Sequence, residues 1–137
     1  MDKDQGSVIP ALRRFIKKLG EKINNNFNSL ISIPDGLSAY KRFNLYLRWM
    51  VRKDNVDPGG WENISPSKLI IPLDTHMYKI CRTLKFTNRK QTDLKSALEI
   101  TNSFKAYAPL DPVKFDFALT RLGINKSDVL NNLFKDV

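Results

Sequence analysis

Apolar residues recur every three or four positions along most of the chain, and no convincing run alternates apolar with polar residues as a half-buried strand does. A spacing of three and four places apolar side chains on one face of a helix. No internal repeat or low-complexity segment interrupts the pattern. We therefore predict an all-α fold, a compact bundle of about six helices.

Capping residues and prolines mark where the predicted helices begin and end. A break rich in proline and glycine, DPGG at 57–60, predicts a turn or tight hairpin after the second helix. The expected helices are about Ile9 to Phe27, Ser38 as N-cap to about Lys53, a short one from Ser65-Pro66 through Ile70, one capped by Asp74, one after Thr92, one from Asp111-Pro112 to Gly123, and a short terminal one capped within 125–128.

The length of 137 residues predicts one domain over 1–137 and excludes a second full domain. The single cysteine, Cys81, cannot form an internal disulfide or supply a four-thiolate metal site, and it suits a reducing cytosol. The N-terminus lacks a signal-peptide pattern, and the longest apolar run is far too short to cross a bilayer. We expect a cytoplasmic protein that does not enter a membrane.

Charge is the unusual property of the composition. The formal net charge is +9, and residues 1–53 hold eleven basic and four acidic side chains, net +7. Such an excess favours polyanionic partners, with nucleic acid as the first candidate. Basic side chains beside an aromatic ring suit nucleic acid, because cations neutralise phosphates and a ring stacks on an unpaired base. A solvated basic face is the alternative.

The candidate nucleic-acid-binding residues lie on the first two predicted helices and just before the third. On the second helix the basic residues group on one arc, which we expect to be exposed, with Trp49 inside it. The candidates are Arg13, Arg14, Lys17, Lys18, Arg42, Arg48, Trp49, Arg52, Lys53 and His76.

Motifs of several enzyme classes are absent: the Gly-rich phosphate loop, the Walker-type Gly-Lys-Ser/Thr, His-Glu-x-x-His and the serine nucleophile elbow. NTPase and hydrolase functions are therefore disfavoured. Nothing at metal-ligand spacing surrounds His76, so we expect neither a metal nor a cofactor. Helix capping alone would explain Asp74.

Two family resemblances add chemistry to this picture. IIPLDTHMYKICRTL, residues 70–84, resembles the segment of helix-hairpin-helix DNA glycosylases, endonuclease III among them, in which a Val-Asp-Thr-His motif opens a helix and the aspartate is catalytic. Residues 38–124 resemble domain-of-unknown-function family 2400 through SAYKRFNLYLRWMVRKDNVDPGGW, ISPSKLIIPLDTH, FTNRK and DPVKFDFALTRLGI. KRFNLYLRWM is also similar to a segment of archaeal 8-oxoguanine glycosylases in which a lysine opens a helix.

The resemblance implies two catalytic positions, Lys41 as nucleophile and Asp74 as acid/base and electrostatic partner, 33 residues apart. Such chemistry requires a base that is flipped out of the stack, and Trp49, Trp61 or Tyr78 would line its pocket. Trp61 suits a core position beside the Gly59-Gly60 turn equally well. This chain lacks the Leu-Pro-Gly-Val-Gly hairpin signature and the iron–sulfur cysteines of part of the superfamily. Family members are typically longer at the N-terminus, so we expect a shortened member without an N-terminal helical lobe.

The leading hypothesis is a DNA-binding, base-excision-repair-like glycosylase with AP lyase activity, resembling one part of a helix-hairpin-helix glycosylase. Its alternative is a non-catalytic nucleic-acid-binding module of the same fold. A third hypothesis is a protein-interaction domain whose basic face meets an acidic partner. DNA is the expected ligand, and RNA stays open.

Overall fold

The computed structural model describes residues 6–26 and 38–125, with side chains up to residue 121. Within these ranges the fold is all-α, as predicted, and the one extended pairing is an isolated bridge between Lys53 and Pro58. The helices are α1 (Ile9–Lys22), α2 (Lys41–Val51), a short 3₁₀ helix (Pro66–Lys68), α3 (Thr75–Thr83), α4 (Leu94–Lys105) and α5 (Asp116–Asn125).

Aspartate caps begin α3 and α4. The Asp74 carboxylate accepts a hydrogen bond from the Met77 amide at 2.8 Å, and Asp93 accepts one from the Ser96 amide at 2.9 Å. Each bond satisfies an amide that the first turn of a helix leaves without a partner. The predicted caps at Asp74 and at Ser65, which starts the 3₁₀ helix, are confirmed.

Two predicted helix starts are wrong. The second helix begins at Lys41, because Tyr40 takes the N-cap position in a left-handed conformation, and the Ser38 hydroxyl accepts from the Tyr40 amide before the helix begins. Asp111 and Pro112 begin a series of turns, and α5 starts at Asp116 and continues through Gly123. The Asp111 carboxylate binds a buried arginine, Arg52, and caps no helix. The predicted terminal helix after Asn125 lies outside the described residues.

The core is assembled around an extended segment, residues 69–73, that runs between helices. Leu69, Ile70, Ile71 and Leu73 are almost fully buried there, against apolar side chains of α1, α3 and α4. Its backbone is satisfied by a side chain, since the Ile71 amide donates to the Thr101 hydroxyl of α4 at 3.1 Å. This buried segment leads directly into Asp74 and so sets where α3 begins. None of the described helices combines the length and apolarity needed to cross a bilayer.

Candidate functional site

The two residues for which the family resemblance implies catalysis are in contact. Lys41 opens α2 and Asp74 caps α3, and Lys41 Nζ lies 3.1 Å from Asp74 Oδ2. The lysine side chain is 48% exposed and the aspartate side chain 24%, so the pair is open to solvent on one side. Two helix starts therefore bring together residues that are 33 positions apart in the chain.

The environment of Asp74 favours its ionised form. Burial acts to raise its pKa, but the Met77 amide, the Lys41 ammonium and the nearby His76 outweigh that effect and hold the pKa below its usual value. Asp74 is therefore a carboxylate at neutral pH. Such a group can stabilise positive charge that develops beside it, or it can accept a proton as a general base. In this ionised form it has no proton to donate as a general acid.

Arg48 and Arg52 are buried, each with a relative exposure of 6%, and the expectation that they lie on an exposed basic arc is wrong. Arg48 binds Asp57, with Nε to Oδ1 at 3.2 Å, and also contacts Asp116. Arg52 contacts Asp57, and its Nε lies 3.0 Å from Asp111. Asp54 joins at the solvent side, 2.8 Å from Arg52. We call these six residues the buried ion-pair network.

The network continues the line on which Lys41 lies. Arg48 and Arg52 follow Lys41 by seven and eleven residues, which places all three along one face of α2 and its C-cap. Asp116, at the start of α5, is influenced by charges at both ends of this line. Burial raises the pKa of Asp116 to about 6, the negative charge of Asp74 adds to that rise, and Arg48 opposes it. The Lys41–Asp74 pair is thus the solvent-exposed end of a charged line.

Asp57 and Asp116 are the site residues that sequence reasoning missed. Asp57 follows the basic helix within the DPGG turn, where the sequence pattern indicates only a turn. Asp116 lies in the DPVKFDFALTRLGI motif, and no local pattern relates it to Arg48, which is 68 residues away. The signal available in the sequence was the presence of acidic residues close to a strongly basic helix, which could act as partners for its arginines.

The remaining predicted residues form two groups, those exposed to solvent and those whose side chains contact other residues. Arg14, Lys17, Lys18, Arg42, Lys53, Trp49 and His76 are exposed, and Arg13 is half-buried. Of the aromatic candidates, Trp61 packs edge-on against Tyr46 with ring centroids 5.7 Å apart. Tyr78 is buried and its hydroxyl donates to the Arg89 carbonyl at 2.6 Å. Only Trp49 among the three lies exposed on the helix that Lys41 opens.

Among the side chains described, no three of His, Cys, Asp or Glu are grouped so that they could hold a metal ion.

The comparisons with known proteins give one positive result. The model of a family described as "Protein of unknown function (DUF2400)" matches residues 1–125. No curated protein and no solved structure matches the chain. The resemblance to helix-hairpin-helix glycosylases therefore stays a prediction.

Proposed function

The chain belongs to the DUF2400 family, and on that premise we propose that it is a DNA-binding domain with glycosylase and AP lyase chemistry, as in base-excision repair. The observation that carries the proposal is the 3.1 Å contact between Lys41 Nζ and Asp74 Oδ2 at a half-exposed position. A lysine nucleophile and an ionised carboxylate are the two groups that this chemistry requires.

In the proposed reaction the Lys41 amine attacks the anomeric carbon of the deoxyribose. The bond from that carbon to the base breaks, and the base leaves with the bonding electron pair and takes up a proton. Opening of the sugar ring then gives a Schiff base between Lys41 and the sugar, from which elimination breaks the DNA strand. Asp74 accepts the proton that the Lys41 ammonium must lose and passes it to the leaving base, and the carboxylate that this restores stabilises the cationic sugar.

DNA would be held by the exposed cations of α1 and α2. Arg14, Lys17 and Lys18 lie on α1, Arg42 lies in the first turn of α2, and Lys53 lies two residues beyond the end of α2. Arg48 and Arg52 are left out of this surface, because their guanidinium groups already bind carboxylates. Replacing one cation that binds a phosphate should lower the slope of log affinity against log salt concentration by about 0.9.

A second candidate function is a non-catalytic nucleic-acid-binding module of the same fold. It is favoured by the fact that Asp74 and Lys41 both have structural roles: Asp74 caps α3, and the ion pair ties α2 to that cap. In this case the cations of α1 and α2 would bind DNA or RNA, and Lys41 would form no covalent bond.

Borohydride trapping on labelled duplexes that carry an abasic site or 8-oxoguanine tests the proposal. We expect a covalent band with the wild-type protein, none with Lys41→Ala, and an unchanged band with Lys79→Ala, which removes an exposed lysine from α3. Asp74→Asn should keep the helix cap, since asparagine caps as well as aspartate. Because it removes the charge, it should slow trapping by roughly 10²- to 10⁴-fold.

Two outcomes would reject the catalytic proposal. A band of equal intensity with Lys41→Ala would mean that another amine reacts. The absence of any band, together with salt-sensitive binding of undamaged nucleic acid, would favour the binding module.

A further inference from the structure

An apolar groove of about 220 Å³ lies between α1 and α2, away from the Lys41–Asp74 pair along the circumference of α2. Its walls are Val8, which is the N-cap of α1, with α1 as far as Phe15, α2 from Phe43 to Leu47, and the loop residues Trp61 and Ile64. We call it the aromatic groove.

Large aromatic side chains of this groove are exposed to solvent. Phe15 is 56% exposed, Tyr46 47% and Trp61 40%. Their orientations are set by edge-on ring contacts, Phe15 with Phe43 at 6.3 Å and Tyr46 with Trp61 at 5.7 Å. Contiguous exposed apolar surface on a folded protein often marks an interaction site, and a preformed one loses little entropy on binding.

The dimensions of the groove favour a helix over a small molecule. Its volume is below the roughly 300–1,000 Å³ of typical small-molecule sites. The wall formed by α1 extends over seven residue steps from Val8 to Phe15, about 10.5 Å at 1.5 Å per residue. That length equals the span of the apolar anchors at i, i+3 or i+4, and i+7 with which an amphipathic helix binds a groove.

The charge beside the groove favours an acidic occupant. Between Val8 and Lys18, α1 has four basic and no acidic side chains. Arg14 and Lys18 follow the lining residues Ala11 and Phe15 by three positions each, so they lie on the flank next to the groove. Both are exposed. Glu62, beside Trp61, is the opposite charge at the loop side and leaves the α1 flank positive.

Charge and polarity also argue against two other occupants. A symmetric contact between two copies of this chain would bring identical patches together, and the excess positive charge of both patches would oppose it. A flipped nucleobase needs hydrogen bonds along its edge. The side chains lining the groove offer only the Tyr46 hydroxyl and the Trp61 indole N–H for that purpose.

From this combination we propose that the aromatic groove binds an amphipathic helix of another protein, with apolar anchors at i, i+4 and i+7 and with aspartate or glutamate on its flanks. The anchors occupy the space between α1 and α2, and the acidic flank meets Arg14 and Lys18. This binding uses neither Lys41 nor Asp74 and so does not depend on the proposed catalytic chemistry, but it shares Arg14 and Lys18 with the proposed DNA-binding surface, so the helix and DNA should compete for this protein.

The test begins with a displayed library of peptides about four helical turns long, with leucine fixed at i, i+4 and i+7 and the other positions randomised. The bait is the full chain. We expect the selected peptides to be enriched in aspartate and glutamate. The most enriched peptide is then synthesised, and its affinity is measured by fluorescence anisotropy.

Variants of exposed α1 positions show whether that peptide uses the groove. Ala11→Gln adds bulk to the groove at an exposed helical position, and Arg14→Glu with Lys18→Glu reverses the flank. We expect each of these two proteins to bind about tenfold more weakly or worse. Lys17→Glu is the matched control on the same helix, and it should bind within about twofold of the wild type, because Lys17 lies on the opposite side of α1 from the groove.

Several results would overturn the proposal. The first two are a failure to enrich any peptide, as would occur if other residues of this chain fill the groove, and an enrichment of basic peptides. Binding that is insensitive to Ala11→Gln would place the peptide elsewhere. Self-association of the protein that Ala11→Gln abolishes would make the occupant a second copy, and loss of nucleic-acid binding in Ala11→Gln alone would make it a nucleic acid.

Discussion

Replacing Arg48 by alanine should strongly destabilise the protein. The side chain is buried and is shared between two aspartates, Asp57 and Asp116, that are themselves buried. Without Arg48, Asp57 keeps its contact with Arg52, whereas among the side chains that the structure describes Asp116 keeps only a long hydrogen bond of 3.5 Å from Thr120. Breaking a buried ion pair by removing one partner costs about 3–5 kcal/mol. A domain is stable by only about 5–15 kcal/mol, so the variant should lie near the limit of folding.

Urea denaturation followed by far-UV circular dichroism measures this loss directly. Arg14→Ala is the control, because Arg14 is an exposed arginine on α1 and its replacement should change stability by less than about 0.5 kcal/mol. Combining Arg48→Ala with Asp116→Ala should cost less than the sum of the single variants, since the second substitution removes the carboxylate that the first leaves without a partner.

The cost of Arg48→Ala should also depend on pH. Burial raises the pKa of Asp116 to about 6, so below that pH the carboxyl is mostly neutral and needs a cation less. Arg48 opposes that rise, so in the variant the pKa of Asp116 should be higher still, and the difference in stability between wild type and Arg48→Ala should shrink as the pH falls towards about 6 and level off below it. A loss below about 1 kcal/mol at neutral pH, typical of an exposed ion pair, would refute the reasoning.

Three further predictions concern single positions. Burial raises the pKa of Asp116 to about 6, so the folded protein still holds a proton on this carboxyl at pH values where the unfolded chain, with a pKa of 3.8, has released it. The free energy of unfolding should therefore fall by about 3 kcal/mol as the pH rises from 3.8 through about 6. Urea denaturation at several pH values should show this fall in the wild type and not in Asp116→Asn. Burial raises the pKa of Cys81 to about 12, so mass spectrometry should detect iodoacetamide on this thiol only after unfolding, and rapid labelling of the native protein would contradict its burial. Gly59→Ala should destabilise the protein by about 1–2 kcal/mol, because Gly59 has φ +74° and an added Cβ would lie 2.9 Å from Lys53 Cβ. Gly6→Ala is the control: no atom lies within 4 Å of its added Cβ, so this variant should be nearly neutral in the same urea assay.

The sequence predicted best the features that depend on neighbouring residues. Asp74 caps α3 through an amide three positions further on, and the helical class follows from a period of three to four residues. The error at Asp111 has a tertiary cause: an aspartate before a proline suits a helix start, but this carboxylate binds Arg52, which is 59 residues away. Local propensity was overridden by a buried charge that required a partner.

The candidate site combines both kinds of information. Resemblance to known enzymes singled out Lys41 and Asp74, yet only the tertiary structure, in which the buried segment 69–73 leads into Asp74, shows that the two side chains meet at 3.1 Å. The sequence of the basic helix did not reveal that Arg48 is buried. A helical wheel gives the direction of each side chain about the helix axis, but it does not show which carboxylates from other parts of the chain lie against that side chain.

The sequence by itself determined the all-α class, several helix starts and the excess positive charge, since each depends on composition or on residues within one turn. Tertiary structure alone decided which cations remain exposed. Asp57 and Asp116 neutralise Arg48 in the interior, whereas Arg14 and Lys18 stay in solvent beside the aromatic groove. The physical reason is that removing a charge from water is costly and is tolerated only where an opposite charge is held against it, and the fold supplies that partner from distant parts of the chain.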